Sequence, residues 1–351
     1  MSGSSSLRAW WARRPPAAGA AVLATGVLSV GLHLAGSEVL SRVALALAGA
    51  AWVALGADFA VRLVRQRERW RAEAGTPDGL TAVAATTVLG TRVSALGWQT
   101  LAWALLALSA VLWPLLLAGV ARHVLRHVAG HRERRLPGDV FLCCVATQGL
   151  AVLAATLARA EATTWPAYTA LALFWLGLVL YAPMLALFDW RQVAQGAGDQ
   201  WVAGGALAIS ALAGARLITA DRAEYLWNAD DRGVLRVLTV ALLVLSLCWY
   251  GALLAAEVLW PRPRYDTRRW ATVFPMGMTA VAMLSVATAV RVPGLKGPGE
   301  VLLWVAVGAW LVVAVAALAF TGSTGSGPSG GSGGVDESGG SGGSLRSRGP
   351  R

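Results

Sequence analysis

Residues 270–290 read WATVFPMGMTAVAMLSVATAV, a stretch with the length of a membrane span and a helix breaker near its start. At about 1.5 Å per residue a helix of this length reaches about 30 Å, the hydrocarbon thickness of a bilayer. Pro275 lacks an N–H and its ring crowds the carbonyl four residues back, so a kink is expected around Ala271 to Pro275. Hydrocarbon cannot satisfy the backbone groups this releases. Such a kink is tolerated at membrane depth where neighbouring helices, hydroxyls or a wet cavity repair the loss, and Phe274 sits directly beside it. A bent helix carrying an aromatic ring points to a gated path.

The surrounding composition agrees with a membrane setting. Of 351 residues, 56% are hydrophobic and 14% charged, and the mean hydropathy is +0.57. This is the profile of an integral membrane protein. Cys143, Cys144 and Cys248 lie in apolar segments without CxxC spacing, which indicates neither a disulfide framework nor a zinc site. The net charge of +11 could suggest nucleic acid, but the arginines cluster between apolar spans, where topology accounts for them.

Working outward from 270–290, ten spans are expected: Pro16–Ala35, Val39–Val64, Leu80–Gly97, Trp98–Ala121, Val140–Ala158, Pro166–Phe188, Trp201–Thr219, Val234–Leu259, Trp270–Val290 and Val301–Phe320. Residues 1–14, with Trp10 and Trp11, read as a short cytoplasmic leader, and 15–320 as one transport domain. A signal peptide is the competing reading of the first span, but the run is longer than a usual signal core and opens a regular series. Residues 321–351 are Gly/Ser-rich and are expected to form a disordered cytoplasmic tail. With both termini inside, the inner segments hold 21 basic residues and the outer loops 8, and Arg92 lies within the third span. The excess of basic residues on one side selects that orientation, in the plasma membrane.

The odd-numbered spans share a texture, as in VLATGVLSV at 22–30, VAATTVLGT at 83–91, CVATQGLAV at 144–152 and LAISALAGA at 207–215. The even ones are bulky, rich in Leu, Val and Trp. Five hairpins, each one thin inner helix and one thick lipid-facing helix, describe this economically. Small residues permit close helix packing; they also leave room for a water-lined axis. Their confinement to the odd spans favours a central pore.

Three stretches resemble the tellurite-resistance/dicarboxylate transporter family, which includes the bacterial tellurite-resistance channel homologue and the plant guard-cell slow anion channel. They are ATGVLSVGLHL at 24–34, TAVAATTVLGTRVSALG at 81–97 and WATVFPMGMTAVAML at 270–284. The likeness covers about residues 15–320. It implies an all-α protein of ten transmembrane helices around a central pore, a homotrimer with one pore per subunit, and a pore phenylalanine on the ninth helix, matched here by Phe274. Where many relatives begin the first span Met-Gly-Thr-Gly, this chain has Leu23, Ala24, Thr25, Gly26. Apart from Pro275, its inner helices carry glycine where a bend would be placed.

Phe274 with Pro275 is the candidate gate: an apolar ring at the narrow point would dewet the passage until it rotates away. A core phenylalanine beside a kink is the plainer reading. Thr25, Thr86, Thr87, Thr147, Gln148 and Ser210 are candidates to line the pore, although hydroxyls bonded back to their own helix explain them equally well. Arg92 either draws anions into the pore or snorkels to the interface, since an unpaired guanidinium in a bilayer costs roughly 2.5 to 3.5 kcal/mol. Asp58 and Glu257 could carry a proton, or be anchors paired to the basic boundary. His123, His127 and His131 share a face if helical, but arginines crowd them and a solvated surface is expected instead of a metal site.

These readings point to a channel or facilitated transporter for small inorganic or organic anions, without cofactor and without nucleic acid. The alternative is a proton-coupled carrier of C4-dicarboxylates or tellurite, which the family names suggest. No GxxxxGK[ST] loop is present for nucleotide. An enzyme is not expected, because no span clusters His, Asp or Cys as a catalytic site would.

Overall fold

The computed structural model describes residues 18–66, 74–130, 135–195, 198–224, 227–260 and 269–323. The expected leader 1–14, His131, and the tail beyond residue 323 lie outside the described residues. Ten helices of fifteen residues or more carry the fold: α1 (Ala18–Leu34), α2 (Glu38–Arg65), α3 (Thr81–Ala95), α4 (Gln99–Gly130), α5 (Leu142–Ala160), α6 (Trp165–Leu187), α7 (Trp201–Glu224), α8 (Ala229–Leu259), α9 (Trp270–Val290) and α10 (Lys296–Ser323). Among the described residues there is no strand, only an isolated parallel bridge between Leu136 and Phe188. Eight of these segments are long and apolar enough to cross a membrane. α1 is apolar but shorter, and α3 has 15 residues that include Arg92 and four threonines.

Four of the five even helices, all but α6, are longer than the sequence suggests. α4 continues to Gly130 and so takes in His123 and His127, which stand on helix and not in a loop. α10 continues through Thr321, Gly322 and Ser323, three residues assigned above to the tail. Pro275 lies within α9, which runs without interruption from Trp270 to Val290.

Burial separates the two sets. α5 and α9 are buried almost throughout, as are most of α3 and α7, whereas α2 buries only Ser41 and Ala48. Exposed large apolar side chains crowd the even helices, among them Val43 and Val53 on α2, Val111 on α4, Val179 on α6, Val237 on α8 and Val312 on α10. Apolar surface on this scale fits lipid, not water. The odd helices touch in a closed order, α1 on α3, α3 on α5, α5 on α7, α7 on α9 and α9 back on α1. Each even helix packs on the odd helix before it and on the next one.

Glycine lets the inner helices approach. A Cβ on Gly149 of α5 would stand 2.4 Å from Thr87 Oγ1 of α3, and one on Gly277 of α9 would stand 3.2 Å from Val27 of α1. Close backbone approach replaces the hydrophobic drive that lipid removes.

Four odd helices end alike. A backbone N–H reaches back five residues, from Ser37 to the Leu32 carbonyl, Trp98 to Val93, Thr163 to Ala158 and Val292 to Ala287. The residue before each donor has positive φ: Gly36, Gly97, Ala162 and Arg291. These are Schellman terminations, which turn the chain sharply while satisfying the last carbonyls. Gly36 and Gly97 suit the left-handed conformation, and Ala162 and Arg291 adopt it at some cost.

Candidate functional site

The odd helices meet on a cavity of ≈ 10 Å³, about the space of one water molecule. Each contributes to its wall: Val27 from α1, Thr91 from α3, Val152 from α5, Ile209 from α7 and Met278 from α9. Thr87 adds a second hydroxyl, and the rest of the lining is apolar or glycine. So narrow and apolar a space does not favour continuous water, which is how a dewetted constriction blocks ions.

Phe274 stands one turn before Met278 on α9 and is 2% exposed. Its ring leans on α7 where a side chain is missing: a Cβ on Gly205 would lie 2.8 Å from Phe274 Cε1 and 3.0 Å from Pro275 Cγ. Gly205 is in turn one turn before Ile209. The two helices keep this register, for Gly205 and Phe274, Ile209 and Met278, and Leu212 and Val281 all differ by 69 in number. α7 and α9 therefore run in the same direction, with the ring immediately below the cavity.

The other threonines have a different environment. Trp310 Nε1 of α10 donates to Thr25 Oγ1 at 2.9 Å, Trp52 Nε1 of α2 to Thr86 at 2.8 Å, and Trp113 Nε1 of α4 to Thr147 at 3.0 Å. Each hydroxyl donates to its own helix, to the carbonyls of Ala21, Ala82 and Cys143. An outer indole is thus pinned to the next inner helix three times around the ring. Gln148 Nε2 donates to the Phe174 carbonyl at 3.0 Å, while its Oε1 is buried without a partner. Ser210 donates to the Ala206 carbonyl at 2.7 Å. Of the hydroxyl and amide candidates, Thr87 is the one on the cavity wall.

Arg92 is 1% exposed and faces α2. Its Nη2 meets Glu38 Oε1 at 2.7 Å and its Nε donates to Ser41 Oγ at 2.9 Å, leaving Nη1 buried without a partner. Ser41 donates to the Ser29 carbonyl, and the other Glu38 oxygen meets His33 Nδ1 at 2.7 Å. These contacts tie α1, α2 and α3 together at one end. Asp58 pairs with Arg62 at 2.8 Å, and Glu257 with Arg269. Among the described residues no three His, Cys, Asp or Glu side chains are placed to hold a metal.

Sequence reading missed Gly205, and with it Ile209 and Leu212, because glycines and aliphatics are common in any span. The signal was there in spacing: from Gly205 and from Phe274 alike, the cavity residues follow at four and seven positions, one face of a helix.

Comparison with known proteins adds an independent line. The family model described as voltage-dependent anion channel matches residues 13–318. Two curated relatives, each described as an uncharacterised membrane protein, come from Mycobacterium tuberculosis strains CDC 1551 / Oshkosh and H37Rv. Each is 31% identical over 124 residues, covering 34% of this chain and 61% of the relative.

Proposed function

We propose, from the premise that this chain belongs to the voltage-dependent anion channel family, that it is a passive conduit for small anions closed by Phe274. The match over residues 13–318 makes it a multi-pass membrane protein and an anion channel or transporter. The finer reading is that residues 15–320 form ten spans as five hairpins, the odd helices around an axis and the even ones against lipid. Both termini face the cytoplasm of the plasma membrane, and the subunits assemble as trimers.

One observation carries this reading: a one-water cavity walled by five different helices, with an aromatic ring one turn below it. A void shared by every member of a closed ring supports an axis through that point. The constriction is apolar, so its closed state rests on dewetting and on the ring filling the remaining width. Thr87 and Thr91, whose hydroxyls donate to the Ala84 and Thr87 carbonyls of their own helix, are the polar side chains on its wall.

Proton-coupled transport of dicarboxylates or tellurite would call for a carboxylate able to load and unload a proton on the path. Asp58 and Glu257, the two carboxylates in question, are each held by an arginine instead. Planar-bilayer recording with chloride, nitrate and malate, on wild type and Phe274→Ala, tests the proposal. Anion conductance should rise severalfold in the variant. Equal conductance in both would remove the gate, and malate uptake into vesicles that vanishes without a pH gradient would favour the coupled carrier.

A further inference from the structure

Beyond the cavity, one turn further along α7 and α9, the same two faces carry Arg216 and Ser285. They follow Leu212 and Val281 by four residues and differ by 69 in number, as the paired positions below them do. Both present a buried polar atom with nothing to bond: Arg216 Nε and Ser285 Oγ. Ser285 is 7% exposed.

Arg216 differs from the arginines that ion pairs hold. Arg92 has Glu38, Arg62 has Asp58, Arg232 has Asp221 and Arg269 has Glu257. Among the described residues Arg216 has no carboxylate; the charge that acts on it is that of Arg159, a second cation, in the last turn of α5. A guanidinium Nε that is buried without a partner, on a side chain with no counter-charge and a like charge acting on it, is costly and persists where an anion or water supplies what the protein does not. Two unsatisfied donors from facing helices, backed by a second cation, form a cradle for negative charge.

We propose that Arg216 Nε and Ser285 Oγ form a binding site for a small inorganic anion, chloride or nitrate, at the end of the axis opposite Phe274. Arg159 supplies long-range attraction and does not touch the ion. The assignment of a small anion follows from the apolar passage directly below, which holds about one water molecule. The site deepens the conduit reading, since an anion waiting there would be partly stripped of water before it meets the cavity. Its occupancy does not depend on conduction, so the two stand or fall separately.

The test is the thermal midpoint of the full-length protein in detergent, titrated with sodium chloride or sodium nitrate against sodium gluconate at equal ionic strength. A ligand that binds the folded state raises the midpoint saturably. Wild type should show this with chloride and nitrate. Arg216→Gln should weaken the apparent affinity about tenfold and Ser285→Ala about threefold, with Arg216→Lys between Arg216→Gln and wild type, because it keeps the charge but puts a methylene where Nε stands. Undiminished anion dependence in Arg216→Gln would overturn the site even if Phe274→Ala conducts anions. Conversely, an Arg216-dependent shift with no conductance in Phe274→Ala would keep the site and sink the conduit. Should Arg216→Gln not yield folded protein, Ser285→Ala decides, and an unchanged titration in it overturns the proposal.

Discussion

Replacing Gly205 by alanine tests the proposed gate through the surface the Phe274 ring rests on. The added methyl would sit 2.8 Å from Phe274 Cε1, so the ring edge must retreat about 0.6 Å to reach ordinary contact at 3.4 Å. Pro275, whose Cγ would lie 3.0 Å away, is fixed in the helix backbone and cannot yield as easily. Inserting a methylene-sized group into a filled interior costs about 1 to 3 kcal/mol, while exchanging glycine for alanine in a helix returns about 0.8 to 1.0. A net destabilisation of about 0 to 2 kcal/mol is therefore expected, read by denaturant titration in detergent. In the Phe274→Ala background the ring is gone while the Pro275 contact at 3.0 Å remains, so the same substitution should cost less without becoming favourable. The cycle should show a coupling of about 1 to 2 kcal/mol. Basal anion conductance should rise in Gly205→Ala with Phe274 intact, because the ring loses its seat, and should not rise further when both are replaced. Additivity within about 0.5 kcal/mol, together with unchanged conductance in Gly205→Ala, would refute the idea that the closed ring is held by α7.

Two further expectations concern the frame around the axis. Trp52→Phe and Trp113→Phe each remove an indole donor to a threonine that remains bonded to its own helix, so each should cost about 1 kcal/mol in unfolding free energy and leave conductance unaltered. A loss of selectivity in either would place those threonines on the permeation path. Arg92→Gln breaks the contacts with Glu38 and Ser41 that join α2 to α3, so a lower unfolding midpoint with an unchanged reversal potential is expected in bilayers. A shift of reversal potential toward cations would put Arg92 among the groups that select the ion.

Much of this protein was legible in its sequence. Apolar runs of span length fixed an all-helical membrane class, because a bilayer leaves the backbone few alternatives. The contrast between thin odd spans and thick even ones foretold which helices would be buried, since glycine and alanine are selected where backbones touch and Leu, Val and Trp where lipid is the neighbour. The FP pair at 274 and 275 was visible as a breaker beside a ring. Direction around each helix was not, and it determines what a hydroxyl does. Thr86 and Thr87 are adjacent in sequence, yet a turn of about 100° sends one to Trp52 and the other to the cavity. Likewise Gly205 became the seat of the ring only when α7 and α9 took a common register. Those outcomes depend on which faces of separate helices meet, a property of tertiary contact that no single span encodes.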